Sequence, residues 1–165
     1  MTPSPVSIPT TAPRLALPRG YRLRPSARVL AAGVALAALI VLIVAARVDP
    51  ARAGMGTHLQ VGLAPCGFLQ RTGLPCGTCG MTTSYALFVR GNLLASAYVQ
   101  PFGCLAALAT AMTFWIAAHA AVTGRAAYRV IRRLPAGLTA GVLLTLWVLA
   151  WGWKMFIVIR GIDGW

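Results

Sequence analysis

Apolar residues gather into three long runs, and polar or charged positions fall in the segments between them. Val29 to Ala46 holds no charged side chain and stops at Arg47. Phe102 to Val122 has His119 as its one ionisable group apart from Cys104. The run from Ala136 stays apolar to Trp153 and meets Lys154, a residue type that snorkels from helix ends. At about 1.5 Å per residue, each run reaches across a bilayer core of about 30 Å.

The stretch between the first two runs is apolar only in pieces. Tyr85–Val89 and Leu93–Val99 are separated by Arg90-Gly91-Asn92, a helix-stop and turn signal. Arginine at the centre of a span costs about 2.5–3.5 kcal/mol, and Gln100-Pro101 leaves almost no loop before the next run. The pattern therefore predicts two short interfacial helices after a cysteine-rich loop, in place of a fourth crossing. The expected fold is an all-α integral membrane protein. It comprises a disordered basic tail over 1–28, transmembrane helices over 29–46, 102–122 and 136–159, a cysteine segment over 47–101, a basic loop over 123–135 and a short tail over 160–165.

Composition strengthens this expectation. Hydrophobic residues make up 58% of the chain and charged residues 10%, too few to coat a soluble fold of this size. The net charge of +13 would otherwise suggest nucleic acid, but the arginines sit beside apolar runs without any nucleic-acid-binding pattern, so no nucleic-acid partner is expected. Arg14, Arg19, Arg22, Arg24 and Arg28 crowd the Pro-rich tail, and Arg125, Arg129, Arg132 and Arg133 crowd the second loop. The positive-inside rule then predicts a multi-pass protein of the cell membrane with a cytoplasmic N-terminus and the cysteine segment outside. Ala51-Arg52-Ala53 resembles a signal-peptide cleavage site, yet the run before it exceeds the usual signal core, so an uncleaved anchor is expected; either version leaves the cysteines on the same side.

Three features inside the runs have ordinary structural readings. Trp147, Trp151, Trp153 and Trp165 suit an interfacial aromatic belt. Gly137 and Gly141 permit close helix approach, hence a membrane-protein partner or homo-oligomer in addition to the lipid bilayer itself. His119, near a helix end, suits a structural histidine.

Chemistry concentrates in residues 66 to 82. Pro75 favours an extended entry, and Gly73, Gly77 and Gly80 allow a tight backbone. Cys76-Gly77-Thr78-Cys79 brings two thiols within reach of one metal or each other. A helix beginning just after Cys79 would place its positive end beside the sulfurs. Cys66 adds a third thiol, and three readings stay open. A disulfide from Cys66 to Cys76 or Cys79 would tie the loop. Zinc or another thiophilic metal would use Cys66, Cys76 and Cys79 with His58 as the fourth ligand. Thiol exchange would use Cys76 and Cys79 with Cys66 as resolving thiol.

Cys66-Gly67-Phe68, then Thr72-Gly73-Leu74-Pro75-Cys76-Gly77-Thr78-Cys79-Gly80-Met81-Thr82, then Gly91-Asn92 and Gln100-Pro101, resemble a bacterial membrane family known as domain of unknown function 2752. The resemblance spans about residues 60 to 122. It implies an integral membrane protein with a three-cysteine motif and supplies no activity. Gly67 and Gly77 stand where that pattern has proline, Thr78 where it has glycine, and Thr83 where it has arginine.

Asp49 and Asp163 are the only acidic residues, which leaves no carboxylate pair for acid–base work and no hard-cation cage. No phosphate-binding glycine loop occurs. The expectation is a non-enzymatic membrane component with an external structural or partner-binding knuckle and no required cofactor; the alternatives are a membrane thiol–disulfide oxidoreductase and a metal-binding membrane protein.

Overall fold

Each apolar run becomes one long helix. The computed structural model describes residues 23–125 and 135–165. The tail up to residue 22, and Arg129, Arg132 and Arg133 of the basic loop, lie outside the described residues. The helices are α1 (Pro25–Arg47), α2 (Gly67–Thr72), α3 (Met81–Val89), α4 (Leu93–Val99), α5 (Pro101–Thr123) and α6 (Ala136–Ile159), with a 3-10 turn at Thr57–Val61. No β-strand forms among the described residues. α1, α5 and α6 are long and apolar enough to cross a membrane, and only 11–17% of their apolar windows is buried in the protein, leaving the rest for lipid. α3 and α4 are the two short helices expected after the cysteine loop; α2 and the 3-10 turn lie within that loop and add to the expected pattern.

α1 and α5 run antiparallel along a seam of small residues. Ala35, Ala38 and Ala45 of α1 and Ala117 and Ala120 of α5 are buried where the two helices pack, so the backbones approach without large side chains at these positions. At one end Arg28 of α1 donates from Nε to Ala121 O at 3.0 Å and from Nη2 to Val122 O at 3.0 Å. These are carbonyls of the last turn of α5, where a cation also meets the negative end of the helix dipole.

The opposite end carries the cysteines. There α3 is wedged against both α1 and α5, with Ala86 and Leu87 fully buried. Ser84 and Ser96 tie α3 to α4: Ser84 Oγ donates to Ser96 O at 2.9 Å and Ser96 Oγ to Ser84 O at 2.8 Å. Gly103 lies against Ser84 so closely that a Cβ there would meet Ser84 Cβ at 2.9 Å. The Gly91-Asn92 turn forms as its residues require. Gly91 takes φ 80, and the Asn92 side chain caps α4 by accepting from Ala95 N at 3.2 Å. Arg90 is held by protein groups. It reaches the last turn of α1, donating to Ala45 O and Ala46 O at 3.3 Å, and pairs with Asp49 at 3.5 Å.

α6 meets the rest of the protein at the cysteine end. Trp151 Nε1 donates to Pro75 O at 3.0 Å, Trp153 Nε1 to Tyr98 O at 2.7 Å and Trp165 Nε1 to Ala51 O at 2.9 Å. Three of the four tryptophans expected as a belt thus act as clamps between a helix end and the loops. Gly137 and Gly141, towards the other end of α6, have open space around them.

Candidate functional site

Cys66, Cys76 and Cys79 converge. Cys66 is the residue before α2, whose first turn is closed by Gln70 N donating to Cys66 O at 3.0 Å. Cys76 and Cys79 span a tight turn in which Cys79 N donates to Cys76 O at 3.0 Å and Cys76 N donates to Cys79 Sγ at 3.2 Å. Gly80, at φ 86, then redirects the chain into α3, a left-handed conformation that other residue types adopt poorly. The result places Cys76 Sγ 3.1 Å from Cys79 Sγ, and Cys79 Sγ 3.6 Å from Cys66 Sγ. All three sulfurs lie within 4.8 Å of one another. Tetrahedral zinc with Zn–S near 2.3 Å needs sulfurs about 3.8 Å apart, so this spacing is close to a metal-ready face.

The other candidates fall elsewhere. His58, on the 3-10 turn, lines the same cavity but is not part of the close group. Cys104, in the first turn of α5, is also outside it, and all four cysteines are free thiols. The cavity beside the sulfurs has a volume of about 620 Å³. Ile40, Val41 and Val44 of α1 form its apolar wall, with Leu63 and Tyr85, and the three cysteines line it together with His58, Thr78, Thr82 and Thr83. Thr83 lines the same cavity, and its hydroxyl pairs with Thr57 Oγ1 at 2.8 Å, an oxygen that also accepts from Ala51 N at 2.9 Å.

The loop is held from behind. Pro75 O accepts from Trp151, and Gly77 O accepts from Gln100 Nε2 at 3.2 Å, while Gln100 Oε1 caps α5 by accepting from Phe102 N at 3.1 Å. Trp147 lies across Gly77, and a Cβ on Gly77 would run into its indole ring. That contact explains why glycine suits this position here, although the pattern it resembles has proline.

The two thiols of the turn differ in acidity. Burial pushes the Cys76 thiol up, but hydrogen bonds from the Thr78 side chain, Cys79, the Thr78 backbone and Cys66 outweigh it and bring the thiol down to about 7. Burial, reinforced by the adjoining Cys76, pushes Cys79 up to about 12. In metal-free protein, iodoacetamide should therefore label Cys76 first, its rate rising through a midpoint near pH 7, with Cys79 silent into the alkaline range. Peptide mapping after timed labelling checks this; equal rates at both residues would contradict the assigned asymmetry.

Sequence reasoning missed Lys154. Its place at the end of an apolar run suggested snorkelling, but its side chain is fully buried and Nζ donates to Gly54 O at 3.3 Å. Nothing local in the sequence marks this, because Gly54 is 100 residues away.

Residues 66–114 match a family described as "Protein of unknown function (DUF2752)". The match runs from the first cysteine of the site to the middle of α5, where the motif resemblance lies. No curated protein and no solved structure matches the chain.

Proposed function

We propose that the protein is a non-enzymatic membrane component whose knuckle holds one soft divalent cation, zinc being the leading candidate, through Cys66, Cys76 and Cys79. The observation that carries this is the convergence of three sulfurs from two separated loop segments onto one side of a cavity. Three thiolates leave a fourth position open towards that cavity, for water, a group from a partner, or His58 if it moves from its place in the cavity lining. A metal there would cross-link α2 to the start of α3, which supports a structural or partner-binding role. In this proposal the N-terminus is cytoplasmic and the knuckle extracytoplasmic, on the strength of the arginine distribution.

Titrating reduced, metal-free protein in detergent with Cd2+ tests it, read by the sulfur-to-cadmium charge-transfer band. The expected result is saturation at one ion per chain with a raised melting temperature. Absence of the band at excess Cd2+ would sink the proposal.

A second reading is favoured by the acidity difference. A partly exposed thiol at about 7 beside a buried one at about 12 is the division of labour of a thiol-exchange pair. Cys76 thiolate would attack a disulfide and release one thiolate, and Cys79 would displace the other while the Cys76–Cys79 bond forms. Incubation of the metal-free protein with a small disulfide separates the two readings: fast, reversible formation of that bond belongs to exchange.

A further inference from the structure

We infer that Lys154 is the counter-charge of the cysteine site, a positioning residue that stabilises the anionic metal–thiolate cluster from behind. This deepens the metal reading and rests on it. Lys154 projects from α6 into the loop layer and is 0% exposed. Its Cε lies 3.3 Å from where a Cβ on Gly80 would sit, so the side chain packs beside the residue that follows Cys79. Its Nζ would be 3.1 Å from a Cβ on Gly54, and the glycines at these two positions leave the channel it occupies.

An ammonium in this place needs negative charge. It has three donors, and its assigned acceptor is one neutral carbonyl, Gly54 O at 3.3 Å. The chain has two acidic side chains, and Asp49 is engaged by Arg90. Asp163, from the segment after α6, acts on the Lys154 charge more strongly than Cys79 does, but forms no ion pair with it. A buried cation without an ion pair is strongly unfavourable unless a nearby anion compensates it. Three thiolates around a divalent ion carry a net charge of −1, and one buried lysine brings the assembly to zero. The loop, the cluster and the lysine are then stable together where each charge alone is not.

The test uses the full chain, with Cd2+ and Co2+ as probes, and compares the wild type with Lys154→Met, which keeps the stem without the charge, and Lys154→Gln, which keeps a neutral donor. Both variants are expected to bind Cd2+ about 10- to 100-fold more weakly, in the range typical of lost outer-sphere partners. The metal-free Met variant should melt at or above the wild-type temperature, because an uncompensated charge has gone. At saturating Co2+ the sulfur-to-cobalt band of both variants should move to lower energy, since thiolates without a nearby cation hold their electrons less tightly.

Wild-type affinity in the Met variant, an unmoved band, full recovery by glutamine, or a lower metal-free melting temperature in the Met variant would each overturn the inference. The last two would make Lys154 a hydrogen-bonding prop for Gly54. Wild-type protein that binds no Cd2+ overturns this inference together with the metal reading, whereas binding unaffected by both substitutions overturns this inference alone.

Discussion

Replacing Cys79 with serine should all but abolish cation binding while leaving the metal-free fold close to intact. Cys79 is the sulfur in direct contact with both others, at 3.1 Å from Cys76 and 3.6 Å from Cys66. Serine fits the same space and can still accept from Cys76 N, so the turn should survive. Its hydroxyl, however, does not ionise in the relevant range and is a poor ligand for a soft metal. Structural zinc sites release about 10–16 kcal/mol through four ligands, so one lost thiolate corresponds to about 3 kcal/mol, or at least a hundred-fold in affinity. Cys66→Ser should act in the same direction, and Cys104→Ser, outside the sulfur group, should bind as the wild type does. The measurement is the Cd2+ titration with thermal melting of each metal-free variant alongside. Tight stoichiometric binding by Cys79→Ser would remove the basis for a three-thiolate site. A stable mixed disulfide accumulating on Cys76 in that variant would move the weight to thiol exchange, because the displacing thiol is the one deleted.

The parts of this molecule that were legible in sequence are those governed by local rules. Three runs without charge become α1, α5 and α6 because length and apolarity suffice to define a span. Gly91-Asn92 stops one helix and caps the next, and Pro101, at the first helical position, starts α5 immediately after Gln100. The start of α3 just after Cys79 followed from the apolar pattern beyond Met81. What was not legible depends on contacts between distant segments. α2 is six residues long, too short to leave a periodic signature. The separation of His58 from the sulfurs reflects how the 3-10 turn lies against α3, through Thr57 and Thr83, which spacing alone does not specify. Lys154 reads as a helix-end residue until α6 is docked, and the docking is carried by indole N–H groups that find loop carbonyls far away in the chain.

Gly77→Ala should destabilise the protein by about 1–3 kcal/mol and weaken cation binding with it, although alanine is normally a mild change. The backbone at Gly77 is not left-handed, so conformational strain is not the cause. The obstacle is Trp147: the new methyl would fall inside its ring, with Cε2 at 2.9 Å and Cη2 at 3.0 Å. The indole cannot swing aside without loss. It stacks on Trp151 at a centroid separation of 6.1 Å, and Trp151 holds Pro75 O, one residue before Cys76. Relieving the clash by moving the loop instead would stretch the bond from Gln100 to Gly77 O and shift Cys76 relative to Cys79. Either adjustment ends at the sulfurs, so the melting temperature and the Cd2+ affinity should fall together. A double-mutant cycle isolates the contact. Trp147→Ala in the Gly77→Ala background should recover stability lost by the first substitution, with an interaction energy of at least about 1 kcal/mol. Full stability in Gly77→Ala, or additivity of the two substitutions, would mean that α6 does not bear on the knuckle through this ring. Recovery would show that α6 bears on the geometry of the site through Trp147 as well as through Trp151, and that Gly77 and Trp147 have to be changed as a pair.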